Sequence, residues 1–222
     1  MSSTGVIILG VLLLLTACND TKDPQGNPPT QNEEQVEGEK PAQPEEEEQS
    51  MEGMPPTALE AATTVMRILK VGDMEMLAAW AHPEKGVRYS PYAYVDKEKD
   101  LVFSRDEMKD LMEDSTVYEW RTFPGSGELI QLTYADYHKQ FVYDEDFMNE
   151  AEISLNERLG EGTTLNNLNE VYPRDNHEFV EYYIDGFDPS YEGMDWCSLI
   201  LVFEKMGYDH ALVGIIHDQW TP

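Results

Sequence analysis

Three groups of residues in this chain have the types and spacing that could do chemistry. His82 precedes Pro83, and Arg88, Tyr89, Tyr92 and Tyr94 follow closely. Pro91 and the tyrosines suggest an ordered loop, and Arg88 is one of few cations in an acidic chain, so the segment could clamp an anion or carboxylate between aromatic surfaces. The second group is His217, Asp218 and Trp220 near the C-terminus. His217 could serve as a general base if a pocket and a partner adjoin it. Strand alternation puts it on the face of Val213 and Ile215, with Asp218 on the other face. The third group is Asp185, Asp188, Glu192 and Asp195, four carboxylates in eleven residues. Calcium takes roughly six to eight oxygens, which such a loop could supply. The spacing is not that of an EF-hand, since Phe187 and Pro189 stand where oxygen ligands belong.

Other chemistries are unsupported. The five histidines form no HExxH motif, and two cysteines cannot make a four-thiolate zinc site. Cys197 lies in an apolar run with no base beside it, which reads as a buried, inert thiol. No GxSxG, SxxK, phosphate-loop or dinucleotide fingerprint occurs. No resident cofactor is therefore expected, with calcium the one candidate.

The elements that must position these residues are helical first and stranded later. Thr57-x-x-Glu60 and Ser104-x-x-Glu107 are capping boxes, each satisfying two orphan backbone donors of a first helical turn. Leu59, Ala62, Val65, Met66 and Leu69 give the first helix one apolar face, and Gly72 stops it. Asp73 caps a second helix carrying Met76, Leu77 and Trp80, which Pro83 closes. Thr133 caps another with Tyr134, Tyr137 and Phe141 on one side. Residues 116–123, 178–184, 196–203 and 211–217 are rich in β-branched and aromatic types and read as strands. The last two make a hairpin around Gly207. Residues 145–175 suggest loops around a short helix.

Charge divides the chain. It has 222 residues with 44 acidic and 15 basic side chains, a formal charge of −29. Such a surface is unfit for nucleic acid, which needs clustered Lys and Arg. Residues 19–56 are rich in Pro, Gln and Glu, carry a net −9 and hold almost no large apolar side chain. They cannot offset their ordering entropy, which predicts a disordered tether. Residues 57–222 keep a net −20 but hold all four tryptophans and all twelve tyrosines. They read as one α+β domain, with N-terminal helices packed on a bent antiparallel sheet.

Residues 6–15, VIILGVLLLL, are too short to span a bilayer but suit a signal-peptide core within residues 1–17. The run ends in Leu15-Thr16-Ala17-Cys18, which resembles the lipobox of bacterial lipoproteins, although MSSTG lacks the usual Lys or Arg. The resemblance implies acylation of Cys18 and a lipid anchor at the extracytoplasmic face of a cell membrane. The acidic tether favours a Gram-positive cell. HPEKGVRYSPY (82–92), GMDW (193–196) and GIIHDQW (214–220) resemble segments of uncharacterised bacterial lipoproteins. The helices-then-hairpins order also resembles the cone-shaped nuclear-transport-factor-2-like folds, which include ketosteroid isomerase. Together these imply a membrane-anchored, non-enzymatic module binding a small molecule or another envelope protein. A hydrolase or isomerase with a His base in the cone, or a calcium-stabilised domain, are the competing expectations.

Overall fold

The computed structural model describes residues 54–160, 162 and 165–221. The apolar run at 6–15, Cys18 and residues 19–53 of the acidic segment lie outside the described residues. The first capping box forms as expected. Thr57 donates its amide to the Glu60 carboxylate at 2.7 Å and accepts the Glu60 amide on its hydroxyl, which starts α1 (Ala58–Val71). Gly72 ends it at φ 69°, a left-handed value that a side chain resists. The buried stripe runs through Ala58, Ala61, Val65 and Leu69. Leu59, expected on that stripe, is 41% exposed because it lies one position off it. Asp73 caps α2 (Met74–Trp80) through the Met76 amide at 3.0 Å.

Next come β1 (Val87–Ser90), β2 (Leu101–Phe103) and the one-turn α3 (Arg105–Met108), which starts at the Ser104–Glu107 box. β3 (Tyr118–Thr122) and β4 (Leu129–Leu132) form a separate hairpin, followed by α4 (Tyr134–Phe141), α5 (Phe147–Glu150), β5 (Glu152–Leu155) and α6 (Leu168–Val171). The sheet is completed by β6 (His177–Ile184), β7 (Cys197–Met206) and β8 (Asp209–Gln219).

The main sheet runs β2-β1-β8-β7-β6-β5. All its pairs are antiparallel except β1 with β8. This corrects one expectation, since Arg88 and Tyr89 belong to a strand rather than a loop. The expected antiparallel sheet forms, and that strand adds one parallel pair to it. The hairpin of β7 and β8 turns on Gly207 at φ 71°.

The two sheet faces differ. The inner face carries Tyr89, Phe103, Tyr182, Leu199, Leu201 and Ile215, packed against α1, α2, α4 and the β3–β4 hairpin. Aromatic rings fill this interior. Trp120 stacks on Tyr137 with centroids 3.6 Å apart, and Tyr89 meets Phe103, Trp120, Tyr134 and Tyr137 edge-on. The outer face carries a smaller cluster, in which Phe179, Ile200, Val202, Val213 and Ile216 lie under Val95, Leu168 and Tyr172. Asn167 pins the covering layer by accepting the Val95 amide at 2.8 Å and donating to its carbonyl at 2.9 Å.

One buried histidine ties this packing to pH. His138 on α4 is 6% exposed, and burial holds it down to about 4 from its ordinary 6.5. A base with a depressed folded pKa contributes stability that is present above the unfolded value and lost as pH falls toward the folded one. Between pH 6.5 and 4 the domain should lose about 3 kcal/mol through this group, at roughly 1.36 kcal/mol per unit. Urea melts of wild type and His138→Gln across that range check it. The variant should show the shallower dependence, and parallel curves would contradict the assignment.

Candidate functional site

A one-residue irregularity in β8 builds the candidate site. Val202 faces Gly214 and Phe203 faces Leu212, so Val213 is an extra residue, a β-bulge. A bulge re-aims the side chains around it. Here it turns Val213 to the outer face while Leu212 and Ile215 stay inside. His217 therefore shares a face with Ile215 but not with Val213, which simple alternation did not foresee. Gly214 then supplies room. A Cβ there would sit 3.1 Å from the Tyr172 hydroxyl, so the ring that follows α6 lies over the bulge because Gly214 has no side chain.

Around this floor, successive strands present one row of side chains on the outer face. Val102 of β2 pairs with Arg88 of β1, Arg88 with Gly214 of β8, and Glu204 of β7 with His177 of β6. With Tyr172, and with Lys85 and Lys97 from flanking loops, these residues line a groove of about 480 Å³. That volume lies within the range of about 300–1,000 Å³ typical of small-molecule sites.

The groove is locally cationic. Arg88 Nη1 donates to the carbonyls of Asp96, Lys97 and Asp100 at 3.4, 3.4 and 3.2 Å, which fixes the guanidinium against the 96–100 turn. Among the described residues neither Arg88 nor Lys97 forms an ion pair with a carboxylate. Glu204 is the groove's one acid. Burial pushes its carboxyl up, but Lys85 at 2.5 Å, His82 at 3.6 Å and His177 at 3.8 Å bring it below the ordinary range. The Tyr172 hydroxyl is buried without a hydrogen-bond partner. Burial pushes its pKa up to about 12, against a smaller opposite pull from the neighbouring Arg88 guanidinium.

The first two groups of residues singled out in the sequence do not form one site. Arg88 lies in the groove. His82 stands behind it, with Nδ1 accepting the amides of Glu84 and Lys85 at 3.1 and 3.0 Å, so it caps a turn. Tyr89 and Tyr92 are packed in the interior rather than presented to a ligand, because β1 is a strand that turns Tyr89 inward. His217 and Trp220 lie at the other end of the sheet. His217 is fully buried, bonded through Nε2 to Asp144 at 3.0 Å and covered edge-on by Phe141. A crevice of about 300 Å³ beside it is lined by Asp144, Trp196, Cys197 and Trp220, but not by His217. Burial, with Asp144 and Glu145 nearby, raises the Cys197 thiol pKa far above its usual value, opposite to what a nucleophile needs. As alternation foresaw, Asp218 is on the outer face, where it pairs with Arg158 at 2.6 Å.

The acidic loop does not assemble a ligand set either. Asp185 accepts the Gly186 amide, Asp188 the Ser190 amide, and Asp195 the amides of Phe187 and Asp188 at 2.9 and 2.8 Å. Glu192 closes a short 3-10 turn at Pro189–Tyr191 in a left-handed conformation. These carboxylates fold their own loop. Among the described residues no three acidic, His or Cys side chains converge as metal ligands.

Sequence reasoning missed Lys85, Lys97, Tyr172, His177 and Glu204. Scarcity of cations singled out Arg88, and the same signal held for Lys85 three residues earlier. Tyr172 came from the segment read as loops around a short helix, whose docking depends on a bulge that leaves no mark in composition.

No protein-family model matches the sequence, and no curated protein does. Among solved structures the chain is similar to Aln2 from a Streptomyces species, at 10% identity over 74% of this chain and 93% of that one, with a TM-score of 0.32. It is also similar to a putative calcium/calmodulin dependent protein kinase II association domain from Xanthomonas campestris, at 9% identity over 70% of this chain and 80% of that one, with a TM-score of 0.28. A third is a variant of Rd1NTF2_05, at 10% identity over 69% of this chain and 90% of that one, also at 0.28. Likeness at this level shows neither a family nor an activity.

Proposed function

We propose that this protein is a non-enzymatic binding module, anchored through acylated Cys18 to the extracytoplasmic face of a cell membrane, with the outer-face groove as its ligand seat. The carrying observation is where the space lies. The layout of helices against one face of the sheet suits a nuclear-transport-factor-2-like reading, in which a ligand would sit among them. That interior is occupied by the protein's own rings, from Tyr89 to Trp120 and Tyr137. The groove instead offers an apolar floor of Val102, Val171 and Val213 under convergent polar groups, as ligand sites do. A base-catalysed reaction has no support from His217, which is fully buried and bonded to Asp144, or from His82, whose Nδ1 is spent on a turn. For the anchor, two acyl chains hold firmly at about 0.8 kcal/mol per buried CH₂. No helix among the described residues is long and apolar enough to cross a membrane.

Two experiments test this. Val102 is 42% exposed on an edge strand, so Val102→Trp should fill the groove without disturbing the core. Binding of both phenol and phenyl phosphate should fall at least tenfold. Unchanged binding of both would place the seat elsewhere. Metabolic labelling with an alkynyl fatty acid should mark the wild type but not Cys18→Ala, and equal labelling would remove the anchor.

A further inference from the structure

We infer that the groove's ligand is an organic oxyanion, a phosphate or carboxylate head carried on a small apolar body. This rests on the groove being the ligand seat and adds the chemical class of what sits there. Residues 57–222 carry 33 acidic and only 13 basic side chains. Three of those bases, Lys85, Arg88 and Lys97, line one groove together with His177. Six of the thirteen, Lys70, Lys85, Lys109, Arg121, Lys139 and Arg158, pair with a carboxylate. Arg88 and Lys97 do not, among the described residues.

The structure holds Arg88 ready instead. Three backbone carbonyls lie 3.2–3.4 Å from Nη1, and no carboxylate engages Nε or Nη2 among the described residues. A guanidinium fixed at one corner presents its remaining donors as a fork, which suits a carboxylate or phosphate. Beside it the Tyr172 hydroxyl is a second prepared donor. The residue is 9% exposed and its oxygen is buried without a partner. A buried hydroxyl left unpaired carries a desolvation cost that an incoming acceptor removes. Lys97 is exposed at the rim and would add a third charge. Glu204 does not neutralise this end, because Lys85 engages its carboxylate. Nor does Glu204 invite a cationic ligand, since its charge is already matched. The valine floor leaves space for a ring or short alkyl chain next to the head.

The test is isothermal titration of the full chain in a non-ionic detergent with phenyl phosphate, benzoate and phenol. Phenyl phosphate or benzoate should bind saturably, at least tenfold more tightly than phenol, and the tighter of the two identifies the head. Lys97→Gln, at an exposed position, should weaken the anion fivefold or more without moving the melting temperature. Arg88→Gln should weaken it tenfold or more, and Tyr172→Phe should weaken it while leaving phenol unchanged. Phenol binding as tightly as both anions would overturn the anion class and leave the groove standing as a seat. Anion affinity unchanged in both Lys97→Gln and Arg88→Gln would overturn it as well. No binding of any of the three probes up to about 10 mM, a standard free energy weaker than about −3 kcal/mol, would overturn the seat and the class together.

Discussion

Alanine at Trp120 is expected to cost about 3–5 kcal/mol of stability, the range for removing a large buried ring. Trp120 is 1% exposed, stacks on Tyr137 with an interplanar angle of 13°, and packs against Phe103, Tyr118 and Tyr134. Its Nε1 also donates to the Leu132 carbonyl at 3.0 Å, so the truncation strands an acceptor on the β3–β4 hairpin as well as opening a void. Urea denaturation reads this directly, and a midpoint barely shifted from wild type would mean that the interior is loosely filled. That outcome would also restore the interior as a place for a ligand. A loss of the expected size supports an interior closed by its own side chains.

Methionine at Arg158 should be comparably severe, for an electrostatic reason. Arg158 Nε holds Glu181 at 3.0 Å and Nη2 holds Asp218 at 2.6 Å, and both carboxylates are buried on the outer sheet face. Removing the shared cation leaves two buried negative charges uncompensated, which costs about 3–5 kcal/mol near neutral pH. The sign of its pH dependence follows from Asp218, whose pKa burial raises even with Arg158 present. A carboxyl raised in the folded state favours folding at low pH, and that contribution is lost as pH rises through the folded value. Without Arg158 the folded value climbs further, so the variant's deficit should shrink on going from pH 7 to pH 4. A deficit equal at both values would show that lost packing, rather than uncompensated charge, is what the substitution removes.

Much of the scaffold was legible because its signals are local. A capping box needs only Thr57 and Glu60, or Ser104 and Glu107, and both boxes form. The long strands β6, β7 and β8 announce themselves through apolar and β-branched runs, and alternation placed His217 and Asp218 on opposite faces. The illegible parts depend on partners distant in sequence. Val87–Ser90 is short and precedes a proline, and it becomes a strand only by pairing with β8 from across the domain. β2 and β4 are similarly short, and their identity comes from their neighbours. The bulge at Val213 is a register event between two strands, yet it decides what floors the groove. Of the site itself, Arg88 stood out by its charge. The proximity of Lys97, Tyr172 and His177 to it is a product of topology. In the acidic loop residue type alone does not separate two roles, since Asp and Glu suit turn-capping as well as they suit calcium.

The proposed function requires that ligands enter the outer groove and not the aromatic interior. Methyl and aromatic NMR of the full chain titrated with phenyl phosphate tests it most directly. Saturable shifts are expected at the methyls of Val102, Val171 and Val213, with the ring signals of Tyr134, Tyr137 and Trp120 unmoved. Saturable shifts at those rings, with the three valines silent, would contradict it.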